Sequence, residues 1–250
     1  MQIKYLSDVG LKRETNQDFA NVFFNQASHA LLLLADGMGG HQAGDVASRS
    51  TVEMLGAKWK DTNFDEPDDV EEWLVTNIQE INEMIYRRGQ NDPDYTGMGT
   101  TIVAAAVFSD VMVIAHVGDS RAYTIHDQTM YQLTQDHSLV NVLLQNGELT
   151  QEEAYHHPRK NVLTRSVGMP GTVEVDVTIQ AILPGDYLLL CSDGLTNMVT
   201  DQGILEILSW NDTLENTVYS LVQQANENGG KDNITVLLAK FDEDKGGALE

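Results

Sequence analysis

Ala30-Leu31-Leu32-Leu33-Leu34-Ala35 runs straight into Asp36-Gly37. Six apolar residues bounded by turn formers have the length of a strand rather than of a helix. The same arrangement recurs along the chain. Residues 111–117 run into Gly118-Asp119-Ser120-Arg121, and residues 187–191 run into Ser192-Asp193-Gly194. Asp18 immediately precedes the run 19–24, and Lys231-Asp232-Asn233 precedes the run 234–241. A further run of strand length spans 101–108.

Helical patterns lie between these runs. Residues 43–59 follow a Gly-rich turn. Residues 70–88 place Val70, Trp73, Leu74, Ile78, Ile81 and Ile85 near helical spacing, a core stripe. Residues 140–145 end at Gly147, and Thr150-Gln151-Glu152-Glu153 reads as a capping box opening a short helix. Residues 204–208 and 214–226 are the last helical candidates. Strands and helices do not alternate steadily, so an α+β layered architecture fits better than a doubly wound parallel sheet. No linker or repeat divides the chain, which predicts one domain.

The composition sets limits on function. The chain has 250 residues, 38 acidic and 15 basic, for a formal net charge of −23. That charge argues against nucleic-acid binding and against docking on an anionic membrane. No apolar run reaches the ~20 residues of a membrane span, and the N-terminus lacks the apolar stretch of a signal peptide. One cysteine, Cys191, excludes an intrachain disulfide. The expectation is a cytoplasmic monomer with no membrane insertion.

The placement of the aspartates carries the functional reading. Asp18, Asp36, Asp119, Asp193 and Asp232 stand at the ends of five core strands. One aspartate at a strand end is most simply a turn residue. Five together are costly near a core unless cations compensate them. Oxygen-only ligands suit Mg²⁺ or Mn²⁺ rather than Zn²⁺.

Six motifs then appear in order: Arg13-Glu14-Thr15-Asn16-Gln17-Asp18, Asp36-Gly37-Met38-Gly39-Gly40, Thr96-Gly97-Met98-Gly99-Thr100-Thr101, Val117-Gly118-Asp119-Ser120-Arg121, Cys191-Ser192-Asp193-Gly194-Leu195 and Lys231-Asp232-Asn233. Together they resemble the bacterial branch of the protein phosphatase 2C family, metal-dependent serine/threonine protein phosphatases. The resemblance implies two antiparallel sheets packed face to face and flanked by helices, a four-layer α-β-β-α sandwich. It implies a catalytic domain over residues 1–241, a mobile flap over 137–170, and a solvated tail over 242–250.

It implies roles as well. Asp36 bridges two ions of Mn²⁺ or Mg²⁺, and the Gly37 carbonyl binds the second. Asp193 and Asp232 hold the first, and Asp18 acts through metal-bound water. Asp119, with Asp193, provides a third and weaker ion site. Arg13 grips the substrate phosphate. A hydroxide bridging the two ions attacks phosphorus in line, with no covalent phosphoenzyme. Gln17 and Met38 stand where eukaryotic members carry Glu and His, which matches the bacterial branch and leaves the general acid between His41 and water. The partners implied are phosphorylated proteins, including a cognate Ser/Thr protein kinase whose action the enzyme opposes. The acidic chain as a whole favours substrates with basic residues beside the phosphosite.

Rival motifs fail on chemistry. Gly39 to Gly44 has P-loop glycine spacing, but Asp45 stands where Lys is needed. Asp92-Pro93-Asp94 opens like an EF-hand, but position twelve is Val103 rather than Glu. Cys191 is flanked by Leu190 and followed by Asn197 where a thiol phosphatase needs His and Arg, so it reads as a packed residue. His116 reads as structural, His156-His157 as exposed flap residues, and Ser120 lacks a paired His. Arg159, Lys160 and Arg165 form a basic cluster that either contacts phosphoprotein or is solvated. Two further readings are a catalytically inactive binding module on the same fold and an acidic cation buffer. Neither needs all the strand-end aspartates together with Arg13.

Overall fold

The computed structural model describes residues 1–40, 43–210 and 213–242. In chain order, β1 (Gln2–Asp8), β2 (Asp18–Phe24) and β3 (Ala30–Met38) lead into α1 (Ala43–Lys60) and α2 (Val70–Asn91). Then come β4 (Gly99–Thr100), β5 (Ile102–Val107), β6 (Val111–Val117), β7 (Arg121–His126) and β8 (Thr129–Gln132). Two short helices follow, α3 (Leu139–Gln145) and α4 (Gln151–Tyr155). The chain closes with β9 (Asp176–Ala181), β10 (Tyr187–Cys191), α5 (Asp193–Thr196), α6 (Asp201–Trp210), α7 (Leu214–Glu227) and β11 (Ile234–Lys240).

The strands form two sheets, ordered β1-β11-β10-β7-β8 and β2-β3-β5-β6-β9, with β4 added beside β3. Every neighbouring pair is antiparallel. Three cores separate four layers, as expected of an α-β-β-α sandwich. Leu31, Leu33 and Ala35 of β3 pack with Val52 and Leu55 of α1 and with Leu74 and Ile78 of α2. Leu32 and Leu34 face the other way, against Leu188, Leu190 and Leu237 of the second sheet. Leu189, Cys191, Val236 and Leu238 pack under Leu221 and Val222 of α7.

This explains why β3 is an unbroken apolar run. Successive side chains point to opposite faces, and here both faces are covered. Each buried leucine contributes about 2 kcal/mol. The stripe on α2 is core as read: Ile78, Ile81 and Ile85 are buried, and Trp73 packs edge-on against Trp59.

The segment between β8 and β9 carries α3 and α4. Ser138 caps α3 by accepting the Asn141 N–H, and Thr150 with Glu153 forms the capping box of α4. Isolated bridges Ser138–Leu163 and Thr100–Val167 tie this segment back to the body.

Candidate active site

β2 and β3 pair so that Asp18 lies directly opposite Asp36. Opposed residues of antiparallel strands share a face, and like charges there repel. The arrangement is fixed by the backbone around it. The Asp36 N–H donates to Thr101 Oγ1 at 2.9 Å, and the Asp36 carbonyl accepts from the Thr101 N–H and from Thr100 Oγ1, each at 2.8 Å. Thr101 Oγ1 also lies 2.7 Å from Ser120 Oγ, beside Asp119. One threonine therefore stitches the end of β3 to the turn between β6 and β7.

Gly37 follows because no other residue fits. A Cβ there would lie 2.1 Å from the Gly44 carbonyl oxygen and 2.6 Å from that of Gln17. Gly194 obeys the same constraint, since its Cβ would meet the Asn233 carbonyl oxygen at 1.9 Å. That close approach brings Asp193, at the start of α5, beside the Asp232 loop.

The aspartates feel one another. Asp18 is buried, its Oδ2 accepts from Ser192 Oγ at 2.7 Å, and its Oδ1 has no hydrogen-bond partner. Burial, opposed by the hydroxyls of Ser192 and Thr235 and assisted by Asp193 and Asp232, pushes its carboxyl up to about 7. Desolvation, then Asp18, Asp193, Asp119 and Asp232, raise Asp36 well above the carboxylate range. Desolvation and then Asp193 and Asp136 raise Asp119, against Arg121. Desolvation and then Asp232 push Asp193 up to about 6, against Lys160, Arg121 and the bond it accepts from Asn197 Nδ2 at 2.9 Å. Arg13 Nη2 closes the rim on Asp232 Oδ2 at 2.8 Å. The structure thus brings Arg13, Asp18, Asp36, Gly37, Asp119, Asp193 and Asp232 to one end of the sandwich. His41 lies outside the described residues.

This donor set fits hard divalent cations. It offers only oxygen, it is short of positive charge, and Asp18 keeps an orphaned acceptor within it. Among the described residues, the group of three whose ligand atoms all lie within 4.8 Å is a different one, His116, His137 and Asp176. It already contains a cation, because Arg165 Nη1 lies 2.6 Å from Asp176 Oδ1. His137 Nδ1 accepts the Gly118 N–H at 3.1 Å, and its Nε2 lies 3.2 Å from Asp176 Oδ2. The group is a polar tie at the root of the 137–170 segment.

The rival sites resolve accordingly. Burial pushes the Cys191 thiol up to about 12, which removes it as a nucleophile. Ser120 is buried against Thr101. The basic cluster of the 137–170 segment is divided. Arg165 pairs with Asp176 and with Glu174 at 2.9 Å, whereas Lys160 Nζ reaches Asn197 Oδ1 at 2.7 Å.

Two residues went unread as site builders. The Asn233 side chain accepts the Gln17 N–H and donates to the carbonyls of Val9 and Thr15, each at 2.9 Å. It holds the loop that carries Arg13. Ser192 both supports Asp18 and accepts the Thr235 N–H at 3.0 Å. Their only sequence signal is adjacency to Asp232 and Asp193.

The protein phosphatase 2C family model matches residues 12–239. The chain belongs to that family, and its enzyme class is the metal-dependent protein serine/threonine phosphatases. Among its relatives, protein phosphatase PhpP of Streptococcus pneumoniae is 45% identical over 244 residues, covering 98% of this chain and 99% of that one. The structure of the S. agalactiae serine/threonine phosphatase superposes with a TM-score of 0.94 at 46% identity, covering 97% and 99% of the two chains. The catalytic domain of the serine/threonine protein phosphatase PstP, solved in complex with two manganese ions, matches with a TM-score of 0.84 at 34% identity, covering 96% and 98%.

Proposed function

We propose that this chain hydrolyses phosphoserine and phosphothreonine in proteins at the strand-end aspartate cluster, and that it opposes a Ser/Thr protein kinase in the cytoplasm. Residues 1–241 are the catalytic unit, and 137–170 is its flap. The observation that carries the reading is the crowd of desolvated carboxylates around Asp36, with Arg13 at its rim. Asp36 and the Gly37 carbonyl would hold the shared and second ion, and Asp193 and Asp232 the first. Asp119 with Asp193 would hold a third, weaker one. When bound, Mn²⁺ or Mg²⁺ supplies an activated water for in-line attack on phosphorus and neutralises the phosphoryl oxygens.

The protein's own residues do the rest. Arg13 presents a planar fork of donors suited to a phosphate, and its tie to Asp232 keeps that fork beside the cluster. Asn233 holds the Arg13 loop in place. Asp18 Oδ1, buried without a partner, would accept from a water bound in the cluster. His41 is the candidate proton donor to the leaving oxygen, with water as the alternative.

The test is hydrolysis of a phosphothreonine peptide with Mn²⁺ and with chelator, on wild type, Asp36→Ala and Asp232→Ala. Chelator-sensitive turnover that both substitutions nearly abolish is the expected result. Persistent turnover in Asp232→Ala would sink the ligand assignment.

A further inference from the structure

A cavity of about 470 Å³ opens beside Arg13 and Asp232. Its lining includes Arg13, Lys160, Lys231, His156 and His157. Three of the chain's fifteen Lys and Arg residues thus meet in one cleft of a protein with net charge −23. The one acidic residue in the lining is Asp232, and Arg13 already pairs with it at 2.8 Å. Among the described residues Lys231 makes no ion pair, and it is exposed. The neighbouring cavity, of about 700 Å³, has the opposite character, with Asp119, Asp136, Asp193 and Asp201 in its walls. Lys160 lines both and is held between them by Asn197.

We infer that Lys160 and Lys231, in the cleft beside Arg13, form a second anion subsite, which selects phosphoprotein segments carrying another phosphate or a carboxylate close to the phosphoresidue being hydrolysed. The inference rests on the phosphatase reading and names its substrate class. The cleft has the volume of a small-ligand site, enough for a side chain next to the scissile phosphate. The Debye length at physiological salt is about 8 Å, so the acidic surface beyond the two cavities is largely screened, and Lys160 and Lys231 are the charges that a side chain entering this cleft meets first. Near-field charge therefore reverses the preference that the net charge alone suggests. A basic neighbour would meet Lys160 and Lys231, and an acidic neighbour would be drawn to them.

The test uses four peptides that share one phosphothreonine and differ at the flanking position: alanine, aspartate, lysine, or a second phosphothreonine. With Mn²⁺ present, kcat/KM should be about fivefold higher for the peptides with a flanking anion than for the alanine peptide, and lowest for lysine, as two partly exposed charge pairs allow. Raising the salt concentration should shrink the spread. Lys231→Gln should reduce the preference through KM, and Lys160→Gln with Lys231→Gln should remove it, with turnover of the alanine peptide by the same variants as the internal reference.

A preference shared by aspartate and phosphate identifies a general anion subsite; one shown by phosphate alone identifies a phosphate subsite. Equal kcat/KM for all four peptides, or a preference that survives in the double variant, overturns the inference. If no peptide is turned over, it is the phosphatase reading that fails. Calorimetric titration of the same peptides then judges the subsite separately, and equal affinity for the alanine and aspartate peptides overturns it.

Discussion

The strand ends and the 137–170 segment meet over the same ground, but they are built by opposite means. Asp18, Asp36 and Asp193 stand on or beside strands whose apolar residues are buried on both faces. The 137–170 segment holds two short helices and is tied down by polar contacts: Arg165 to Asp176, His137 to Gly118, and Lys160 to Asn197. The first region spends stability to hold like charges in fixed positions. The second pairs its charges locally and reaches the core at Val167. On the flap reading proposed above, the division places the ion ligands on strands packed on both faces and the substrate's approach under a segment tied by polar contacts.

The sharpest way to break this contrast is Asp36→Asn. It keeps the shape and removes one charge from the crowd. Phosphopeptide turnover should fall by about a thousandfold, equivalent to about 4 kcal/mol of barrier. The melting temperature of the metal-free protein should rise by a few degrees at the same time, since a desolvated like charge is gone. A metal-free protein that is destabilised by this substitution would show that the cluster is not strained.

Asn233→Ala attacks the support rather than the charge. It removes three hydrogen bonds from a buried side chain. The expected cost is about 2 kcal/mol of stability, read by denaturant unfolding. Turnover should fall by about tenfold to a hundredfold as Arg13 loses its position.

The pH dependence follows from the raised carboxyls. Asp18 at about 7 and Asp193 at about 6 bind protons in the folded state that the unfolded chain has released above about 4. Their contribution is therefore unpenalised below the unfolded value and turns against folding as pH rises through the folded values. The metal-free melting temperature should decline between pH 4 and pH 7 from these groups. Saturating Mn²⁺ should raise stability most at the upper end of that window, by about 2.7 kcal/mol at a hundredfold excess over Kd. Calorimetric scans with and without chelator across that range would show it, and a Mn²⁺ effect independent of pH would contradict it.

The smallest effect belongs to the segment's root. Arg165→Met breaks partly exposed pairs with Asp176 and Glu174. It should cost about 1 kcal/mol or less and change phosphopeptide turnover only a few-fold. A loss as large as that of Asn233→Ala would place the root among the rigid parts.

What the sequence shows and what it hides divide along the same line. The runs that became β3, β5, β6, β10 and β11 were legible because burial on both faces makes them continuously apolar, and β2, an edge strand with Phe24 exposed, was legible from its three phenylalanines and Val22. β1, β8 and β9 sit at sheet edges with exposed and half-exposed residues, so no apolar run marks them. β7 is short and mixes Arg121, Thr124 and His126 into its buried residues. The strand-end aspartates were legible because they interrupt those runs. Asn233, Ser192 and Thr101 were quoted in motifs without roles, because their partners lie tens to hundreds of residues away. The direction of the peptide preference was hidden for the same reason: net charge is read from composition, but a cleft exists only after folding.

The hydroxyl of Ser192 has one hydrogen and no exposure. It gives that hydrogen to Asp18 Oδ2 and receives the Thr235 N–H on its lone pair. Turning it around would strand its hydrogen in a dry interior, at a cost of about 1–3 kcal/mol. Oδ2 of Asp18 is therefore a standing acceptor, and Oδ1, with no hydrogen-bond partner, is the less encumbered seat for any proton the carboxyl takes up. One carboxyl is split into an anchored oxygen and an unanchored one.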